Sequence, residues 1–278
     1  MSKDSCVLLG GRTLHKALSS RGYSTRFVSS SEKTLTSSIS ADSVVLAASP
    51  HLAQKKYKTQ IPFVSVLSTL DRISAKRLLV LSSASVYGLS SRDKTPFAEH
   101  MELGDSVSVY AAEKIALEKA ARGGNFQEVL ILRPSGFYGV WPQQPASNLI
   151  DTLLEESLER EGRAFSIEHQ GRQIRDFCYF PALVDFIGQW ISAPGINRNL
   201  TLNFRTTKPE KISRVVEFFA HTLTDLVWKS SSSTDIHSEL DDSALRLNYP
   251  KVKTRIDLLS HLESIIAKLR SENGDGAA

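Results

Sequence analysis

The sequence has little cysteine and no long apolar run. Its 278 residues contain two cysteines, Cys6 and Cys178, which form no CxxC pair, so neither a disulfide framework nor a cysteine zinc site is expected. The seven histidines show no HExxH motif and no close cluster, and no metal site is predicted. No segment approaches 18 apolar residues and the first residues lack the pattern of a secretory signal, so we expect a cytoplasmic protein with no membrane partner.

Strong charge of either sign is also absent. The formal net charge is +4, and the basic residues are scattered along the chain instead of forming a stripe. This pattern suits a site for anionic phosphates, and without a nucleic-acid motif we predict no nucleic-acid partner.

The stretch Val109–Lys119 carries the most specific chemistry. Its helix-forming residues place Tyr110 and Lys114 four positions apart, so that on a helix the phenol and the ammonium share one face. A nearby cation favours phenolate and is expected to lower the pKa of Tyr110, as a general acid/base for an alcohol or carbonyl requires. The alternative is an amphipathic helix with a half-buried tyrosine and a solvated lysine.

The first residues predict a strand, a glycine turn and a helix. An apolar run, Cys6–Leu9, ends at Gly10 and Gly11 and is followed by apolar residues at helical spacing up to Gly22. Such a unit opens a dinucleotide-binding fold, in which the amides at the helix start hold a pyrophosphate. A tight turn without a ligand would give the same pattern.

The next segments leave the choice between NAD and NADP open. A second strand, 25–28, is followed by Ser29 where a carboxylate for the adenosine ribose is expected in an NAD-preferring fold. Without an acid there is room for a 2′-phosphate, with Arg26 or Lys33 as possible partners. The following strand, 43–48, arrives too soon for a full helix and strand to intervene, so one early unit is shortened.

Strands, loops and helices alternate through the first half of the chain. The strand 77–81 runs into hydroxyl residues at 82, 83 and 85, and the strand 128–132 ends at Arg133-Pro134. This alternation predicts an α/β, Rossmann-like, doubly wound parallel sheet with a smaller C-terminal substrate-binding lobe.

The predicted domain boundaries follow from a change in character after residue 140. Residues 1–140 form the dinucleotide-binding domain, 141–270 a substrate-binding lobe partly interleaved with the sheet, and 271–278 a flexible tail. Within the lobe we predict an amphipathic helix over 212–226.

Four stretches together resemble the extended short-chain dehydrogenase/reductase family, in its NAD-dependent epimerase/dehydratase type that modifies sugar nucleotides. They are SSASVYG at 82–88, YAAEK at 110–114, LRPSGFYG at 132–139 and RQIRDFCYF at 172–180. Their order and spacing carry the resemblance, which runs from about residue 5 to about residue 268.

The resemblance implies three catalytic residues. Tyr110 matches the catalytic tyrosine, Lys114 the lysine that binds the nicotinamide ribose and lowers the tyrosine pKa, and Ser83 the serine that hydrogen-bonds the reacting oxygen. A structural turn serine is the alternative for Ser83. Ser85 and Ala84 stand where dehydratases of the family carry an acidic pair, so a sugar 4,6-dehydratase is not expected.

Substrate contacts are expected in the same way from Ser85, Asn148, Arg172 and Arg175. Asn148 could instead cap the helix that follows it, and the two arginines could form a solvated basic edge. The expected cofactor-binding residues are Gly10, Gly11, Arg12, Ser29, Ala47, Ala48, Lys114 and Pro134.

The function predicted from these residues is hydride transfer between NAD or NADP and a nucleotide-activated sugar, by an oxidoreductase or epimerase. The glycine loop is about five residues shorter than the family's form, which supports a second hypothesis, a non-catalytic member that binds a nucleotide or a partner. Gly136 replaces an asparagine that many sugar-nucleotide enzymes carry, which supports a third, a reductase of a non-nucleotide carbonyl compound. A homodimer is suggested by the resemblance only.

Overall fold

The computed structural model describes most of the chain. The described residues are 4–29, 38–47, 67, 70–88, 96–104, 108–146, 148–159, 164–193, 195, 198–223, 225–229 and 237–274.

Strands and helices alternate along these residues. The strands are β1 (Asp4–Leu9), β2 (Arg26–Val28), β3 (Ile39–Leu46), β4 (Ile73–Ser74), β5 (Arg77–Leu81), β6 (Glu128–Pro134), β7 (Gly136–Tyr138), β8 (Ala164–Ile167), β9 (Ile174–Arg175), β10 (Phe177–Tyr179), β11 (Leu200–Phe204), β12 (Glu210–Lys211) and β13 (Asp225–Trp228). The α-helices are α1 (Arg12–Ser20), α2 (Val109–Gly123), α3 (Leu149–Glu159), α4 (Phe180–Ser192), α5 (Ile212–Phe219), α6 (Ser243–Asn248) and α7 (Leu258–Gly274).

The main sheet is parallel, which confirms the predicted fold class. Its strand order is β11-β6-β5-β3-β1-β2, and β4 pairs with β3 outside this path. The central strands are buried along nearly their whole length, as strands covered on both faces must be. Because all six strands run in one direction, their carboxyl ends meet at one edge, where an α/β sheet presents its ligand site.

The shortened early unit is visible in the sheet. Strands β2 and β3 follow one another in sequence but pair with opposite edges of β1. Only residues 29–38 separate them, a length that leaves no room for a further helix and strand. The predicted third strand, 43–48, begins earlier, at Ile39, and ends at Leu46, while Ala48 lies outside the described residues.

The chain divides into two compact units that interleave along the sequence. Unit 1 comprises Met1–Leu89, Ala98–Pro134 and Leu183–Phe204, and unit 2 comprises Ser90–Phe97, Ser135–Ala182 and Arg205–Ala278. Unit 1 contains the main sheet. Its core joins side chains of β1, β3, β5 and β6 to Leu117 and Ala121 of α2.

Unit 2 contains three two-stranded sheets, β7 with β10, β8 with β13 and β9 with β12. Its core includes aromatic side chains of β7 and β10 and apolar residues of α3, α5 and α7. The predicted helix over 212–226 is wrong in its second half, because α5 ends at Phe219 and β13 pairs in parallel with β8. Helix α7 runs to Gly274, through the first part of the predicted tail.

Among the described residues, no helix combines the length and apolar character needed to cross a membrane.

The glycine turn after β1 gives a test of the fold. Gly11 has φ 67°, and a Cβ built on it would lie 2.7 Å from the Cβ of Ala47. Gly11→Ala is therefore expected to lower the free energy of unfolding by about 1–2 kcal/mol for the left-handed backbone, with about 1–3 kcal/mol more for the overpacked contact. Urea unfolding followed by circular dichroism measures the change.

Gly22→Ala is the matched control, because Gly22 has φ 82° but nothing within 4 Å of the added methyl group. It is expected to show the backbone cost alone. Equal losses for the two variants would contradict the close packing of the turn against Ala47.

Candidate active site

Helix α2 presents the predicted tyrosine and lysine on one face. The hydroxyl of Ser108 caps the helix by accepting from the Ala111 amide at 3.2 Å, which fixes the start of α2 just before Tyr110. The Lys114 ammonium lies 5.7 Å from the centre of the Tyr110 ring. The spacing seen in the sequence thus becomes a real contact between a phenol and a cation.

Ser83 lies at the end of β5, where it caps the short 3₁₀ turn Ala84–Tyr87. Its Oγ accepts from the Ser85 amide at 3.2 Å and from the Ser85 hydroxyl at 3.0 Å. The Ser83 side chain also lies near enough to Tyr110 to lower the pKa of its hydroxyl. Because Ser83 Oγ already accepts two hydrogen bonds, its own proton can be donated to an oxygen atom located near Tyr110.

Lys114 is buried at the carboxyl end of the sheet, with 3% of its surface exposed. Its Nζ donates to the carbonyl of Leu81, the last residue of β5, at 2.8 Å. Burial lowers its pKa to about 8, although the carboxylates of Glu113 and Glu118 favour the charged form. The structure therefore brings Ser83, Tyr110 and Lys114 together at one edge of unit 1.

The predicted lowering of the Tyr110 pKa is wrong. Burial raises the pKa of Tyr110 above its ordinary value, and Glu113 raises it further, while the neighbouring Ser83 side chain opposes both. Burial disfavours the charged form of a phenol. Tyr110 accordingly keeps its proton at neutral pH.

Sequence reasoning missed the buried polar groups behind this site. Glu118 of α2 receives a bidentate pair of hydrogen bonds from Arg133, at 2.9 and 2.6 Å, and a third from the hydroxyl of Ser82, at 2.5 Å. Arg133 also donates to the hydroxyl of Tyr87 at 2.9 Å. The sequence did contain one indication of Glu118: it follows Tyr110 and Lys114 at the same interval of four residues and so lies on the same helix face.

The expected cofactor residues lie at the ends of β1, β2, β3 and β6. Gly10 and Gly11 both have positive φ and connect β1 to α1, whose first residue is Arg12. Ser29 follows β2 and Ala47 follows β3. Pro134 is the last residue of β6 and is buried, and Ala48 lies outside the described residues.

These residues fit the phosphates of a dinucleotide. The two left-handed glycines turn the chain from β1 directly into α1, so the first amides of the helix lie at the carboxyl end of the sheet. The first four amides of a helix have no partner within it and favour an anion. The Arg12 guanidinium lies 5.8 Å from the Phe27 ring centre and adds positive charge beside this turn.

Asn148 caps helix α3. Its Oδ1 accepts from the Asp151 amide at 2.9 Å, and its Nδ2 donates to Asp151 Oδ2 at 2.8 Å. The buried Asp151 carboxylate also accepts from the Gly139 amide at 2.6 Å and the Val140 amide at 3.0 Å. The capping alternative is thus realised, and a contact of Asn148 with substrate stays a prediction.

The two predicted substrate arginines lie in unit 2, around the short strand β9. Arg172 is exposed and donates to Gln170 at 3.1 Å. Arg175 is half-buried, donates to Gln173 at 3.2 Å, and has a pKa lowered by burial. Of the predicted substrate residues, Ser85 contacts one of the predicted catalytic residues, Ser83. The substrate roles of all four stay predictions.

Comparison with protein families gives a match over most of the chain. The family model described as "NAD dependent epimerase/dehydratase family" matches residues 10–195. A curated relative, the "Probable UDP-glucuronate 4-epimerase" of Rhizobium meliloti (strain 1021), is 28% identical over 142 residues, which is 49% of this chain and 39% of that protein. The chain thus aligns with well under two thirds of this relative.

Solved structures share the fold at low identity. MoeE5 in complex with UDP-glucose and NAD has a TM-score of 0.74 at 20% identity, over 96% of this chain and 99% of that one. RMD from Pseudomonas aeruginosa complexed with NADPH has a TM-score of 0.70 at 17% identity, with coverage of 96% and 99%. The UDP-N-acetylglucosamine 4-epimerase from Bacillus cereus has a TM-score of 0.68 at 15% identity, with coverage of 95% and 96%.

These matches confirm the resemblance drawn from the four sequence stretches and the Rossmann-like fold. The matched family is NAD-dependent, which confirms the predicted class of cofactor.

The buried lysine predicts a dependence of stability on pH. The folded chain releases the Lys114 proton near pH 8, whereas the unfolded chain keeps it to about its ordinary value of 10.5. Between these values the unfolded state binds more protons, so the free energy of unfolding rises with pH. Relative to Lys114→Met, the wild type is expected to gain on the order of 3 kcal/mol across this window, measured by urea unfolding at a series of pH values.

Lys119→Met is the control, since Lys119 lies on the same helix with its side chain exposed. Its stability is expected to run parallel to that of the wild type. A Lys114→Met curve that is also parallel would contradict the burial of a titrating ammonium.

Proposed function

Because the chain belongs to the NAD dependent epimerase/dehydratase family, we propose that it is an NAD(P)-dependent enzyme that transfers hydride at a carbinol or keto carbon of a nucleotide-activated sugar. The observation that carries this proposal is the cluster of Ser83, Tyr110 and Lys114 at the carboxyl edge of the sheet.

Each residue of the cluster has a separate task. The Ser83 hydroxyl donates to the reacting oxygen and holds it beside Tyr110. In the oxidative direction Tyr110 accepts the proton of the carbinol hydroxyl, and in the reductive direction it returns a proton to the carbonyl oxygen. The Lys114 ammonium stabilises the phenolate that proton release from Tyr110 produces. A bound nicotinamide supplies the acceptor and donor of the hydride.

The raised pKa of Tyr110 and the lowered pKa of Lys114 set the conditions for these tasks. Near neutral pH the tyrosine carries its proton and the lysine its charge, which suits reduction of a keto carbon directly. Oxidation requires the Lys114 ammonium to lower the Tyr110 pKa when cofactor and substrate are bound. Above about pH 8 the lysine loses its proton, and this lowering of the tyrosine pKa is lost.

The substrate class is proposed from the relatives. One is named a probable UDP-glucuronate 4-epimerase, and MoeE5 has been solved with UDP-glucose and with UDP-glucuronic acid. Ala84 and Ser85 supply no acid after Ser83, which favours 4-epimerisation or reduction over 4,6-dehydration. The cytoplasmic location, the homodimer and the use of NADP stay predictions.

Cofactor binding gives the first test of this function. NAD, NADH, NADP and NADPH are each titrated into the purified chain, and thermal stability is followed. A dinucleotide that binds the folded state alone stabilises it by about 2.7 kcal/mol at one hundred times its dissociation constant, so at least one is expected to raise the melting temperature. If none does so at millimolar concentration, the proposed function is wrong and the non-catalytic hypothesis is favoured.

Tyr110→Phe gives the second test. With NAD and UDP-glucuronic acid or UDP-glucose as substrate, the formation of the 4-epimer is measured by chromatography. The variant is expected to lose turnover by about 10²–10⁴-fold, because the proton acceptor is gone, while keeping the thermal shift produced by the dinucleotide.

Tyr23→Phe is the control, since Tyr23 is a half-buried tyrosine of unit 1 that contacts Gly188 away from the cluster. It is expected to keep wild-type turnover. Unchanged turnover in Tyr110→Phe would remove Tyr110 from the mechanism.

A further inference from the structure

The buried guanidinium of Arg133 lies behind the proposed catalytic cluster. Arg133, at the end of β6, has 3% of its surface exposed. Its Nε and Nη2 donate to the two carboxylate oxygens of Glu118 at 2.9 and 2.6 Å. Its Nη1 donates to the hydroxyl of Tyr87 at 2.9 Å and to the carbonyl of Glu99 at 3.2 Å. The planar guanidinium therefore connects three chain segments, at Glu118, Tyr87 and Glu99, and fixes their relative orientation.

Glu118 connects this guanidinium to the helix that carries the proton-transfer residues. Tyr110, Lys114 and Glu118 follow one another at intervals of four residues on α2 and share one face. Glu118 also accepts from Ser82 at 2.5 Å, and Ser82 comes directly after β5. Rotation or sliding of α2 against the sheet would break these buried hydrogen bonds.

Tyr87 connects the same guanidinium to the turn that carries Ser83. It ends the 3₁₀ turn Ala84–Tyr87, for which Ser83 is the N-cap. Its hydroxyl accepts from Arg133 and donates to Oδ1 of the fully buried Asn203, at 2.7 Å. Both hydrogen-bonding roles of this hydroxyl are thus used to hold the turn.

Stability alone is a weak explanation for this arrangement. A buried ion pair costs desolvation of both charges, and apolar side chains of similar volume often serve stability as well or better. The bidentate pair with Glu118 does fix the orientation of the two side chains, because a planar guanidinium and a carboxylate meet in one preferred geometry.

We propose that Arg133 is a positioning residue which, through Glu118 and Tyr87, sets the distance and orientation between the element that carries Tyr110 and Lys114 and the element that carries Ser83. This inference rests on the proposed function, since it assigns Arg133 to the same catalytic cluster.

Tyr87→Phe is the sharpest test. The variant keeps the ring, whose centre lies 5.0 Å from the guanidinium carbon of Arg133, and removes the hydroxyl that bonds to Arg133 and Asn203. If the turn loses its position, the Ser83 hydroxyl moves relative to Tyr110. We expect kcat to fall on the order of ten- to a hundredfold, with little change in KM or in the thermal shift produced by a dinucleotide.

A second readout does not depend on turnover. With tyrosine labelled at the ring carbon that bears the hydroxyl, the Tyr110 signal is assigned by its absence in Tyr110→Phe, and its titration is followed by NMR. The neighbouring Ser83 side chain lowers the pKa of Tyr110, so a displaced Ser83 in Tyr87→Phe is expected to move the titration to higher pH.

Tyr138→Phe is the matched control. Tyr138 is a fully buried tyrosine of unit 2 whose hydroxyl forms a hydrogen bond of 2.7 Å with His261. The loss of this hydroxyl is expected to reduce stability without changing kcat or the titration of Tyr110. Equal effects of the two variants on kcat or on the titration would assign Tyr87 a merely structural role and overturn the proposal.

Arg133→Lys extends the test to the central group. A single ammonium cannot reproduce the bidentate fork and also reach the Tyr87 hydroxyl, so we expect the titration of Tyr110 to shift in the same direction as in Tyr87→Phe. Unchanged titration in Tyr87→Phe, and in Arg133→Lys if that variant folds, would overturn the positioning role. A shifted titration in a chain that turns over no nucleotide sugar would instead reject the proposed function and leave the positioning role standing.

Discussion

Burial of the Lys114 ammonium sets the constraint from which the arrangement of the site follows. A lone buried cation is costly, and here the carbonyl of Leu81 and the carboxylates of Glu113 and Glu118 offset part of that cost. The carboxylate of Glu118 needs a counter-charge in turn, which Arg133 supplies with two hydrogen bonds. Lys114, Glu118 and Arg133 thus form a series of buried charges of alternating sign at this edge of the sheet, which links the ammonium beside Tyr110 to polar groups well behind it.

The sequence contains the parts of the site that depend on local spacing. Tyr110 and Lys114 share a helix face by their interval alone, and Ser83 follows a strand whose apolar run predicts where it ends. The direction of the Tyr110 pKa was not predictable in this way, because it depends on burial contributed by other segments. The pair of Arg133 and Glu118 was missed for a related reason, since the two residues come from different elements that only the folded sheet brings together.

Two features of the fold show what local sequence patterns can and cannot predict. Apolar residues at helical spacing continue past the end of α5, but residues 225–228 pair with β8, a partner more than fifty positions earlier in the chain. Local periodicity does not report such a partner. In contrast, the shortened early unit was predictable from the short interval between the strands predicted at 25–28 and 43–48.

A second short connection, the one between β1 and α1, determines the form of the glycine turn. A chain that passes from β1 to α1 in two residues must reverse direction sharply, and Gly10 and Gly11 do so with φ of 74° and 67°. The second of them also lies against Ala47 too closely for any side chain. The two-residue turn therefore places the start of α1 directly against the end of β3. Under the proposed function, a cofactor phosphate at this turn would be held by the first amides of α1 and by Arg12.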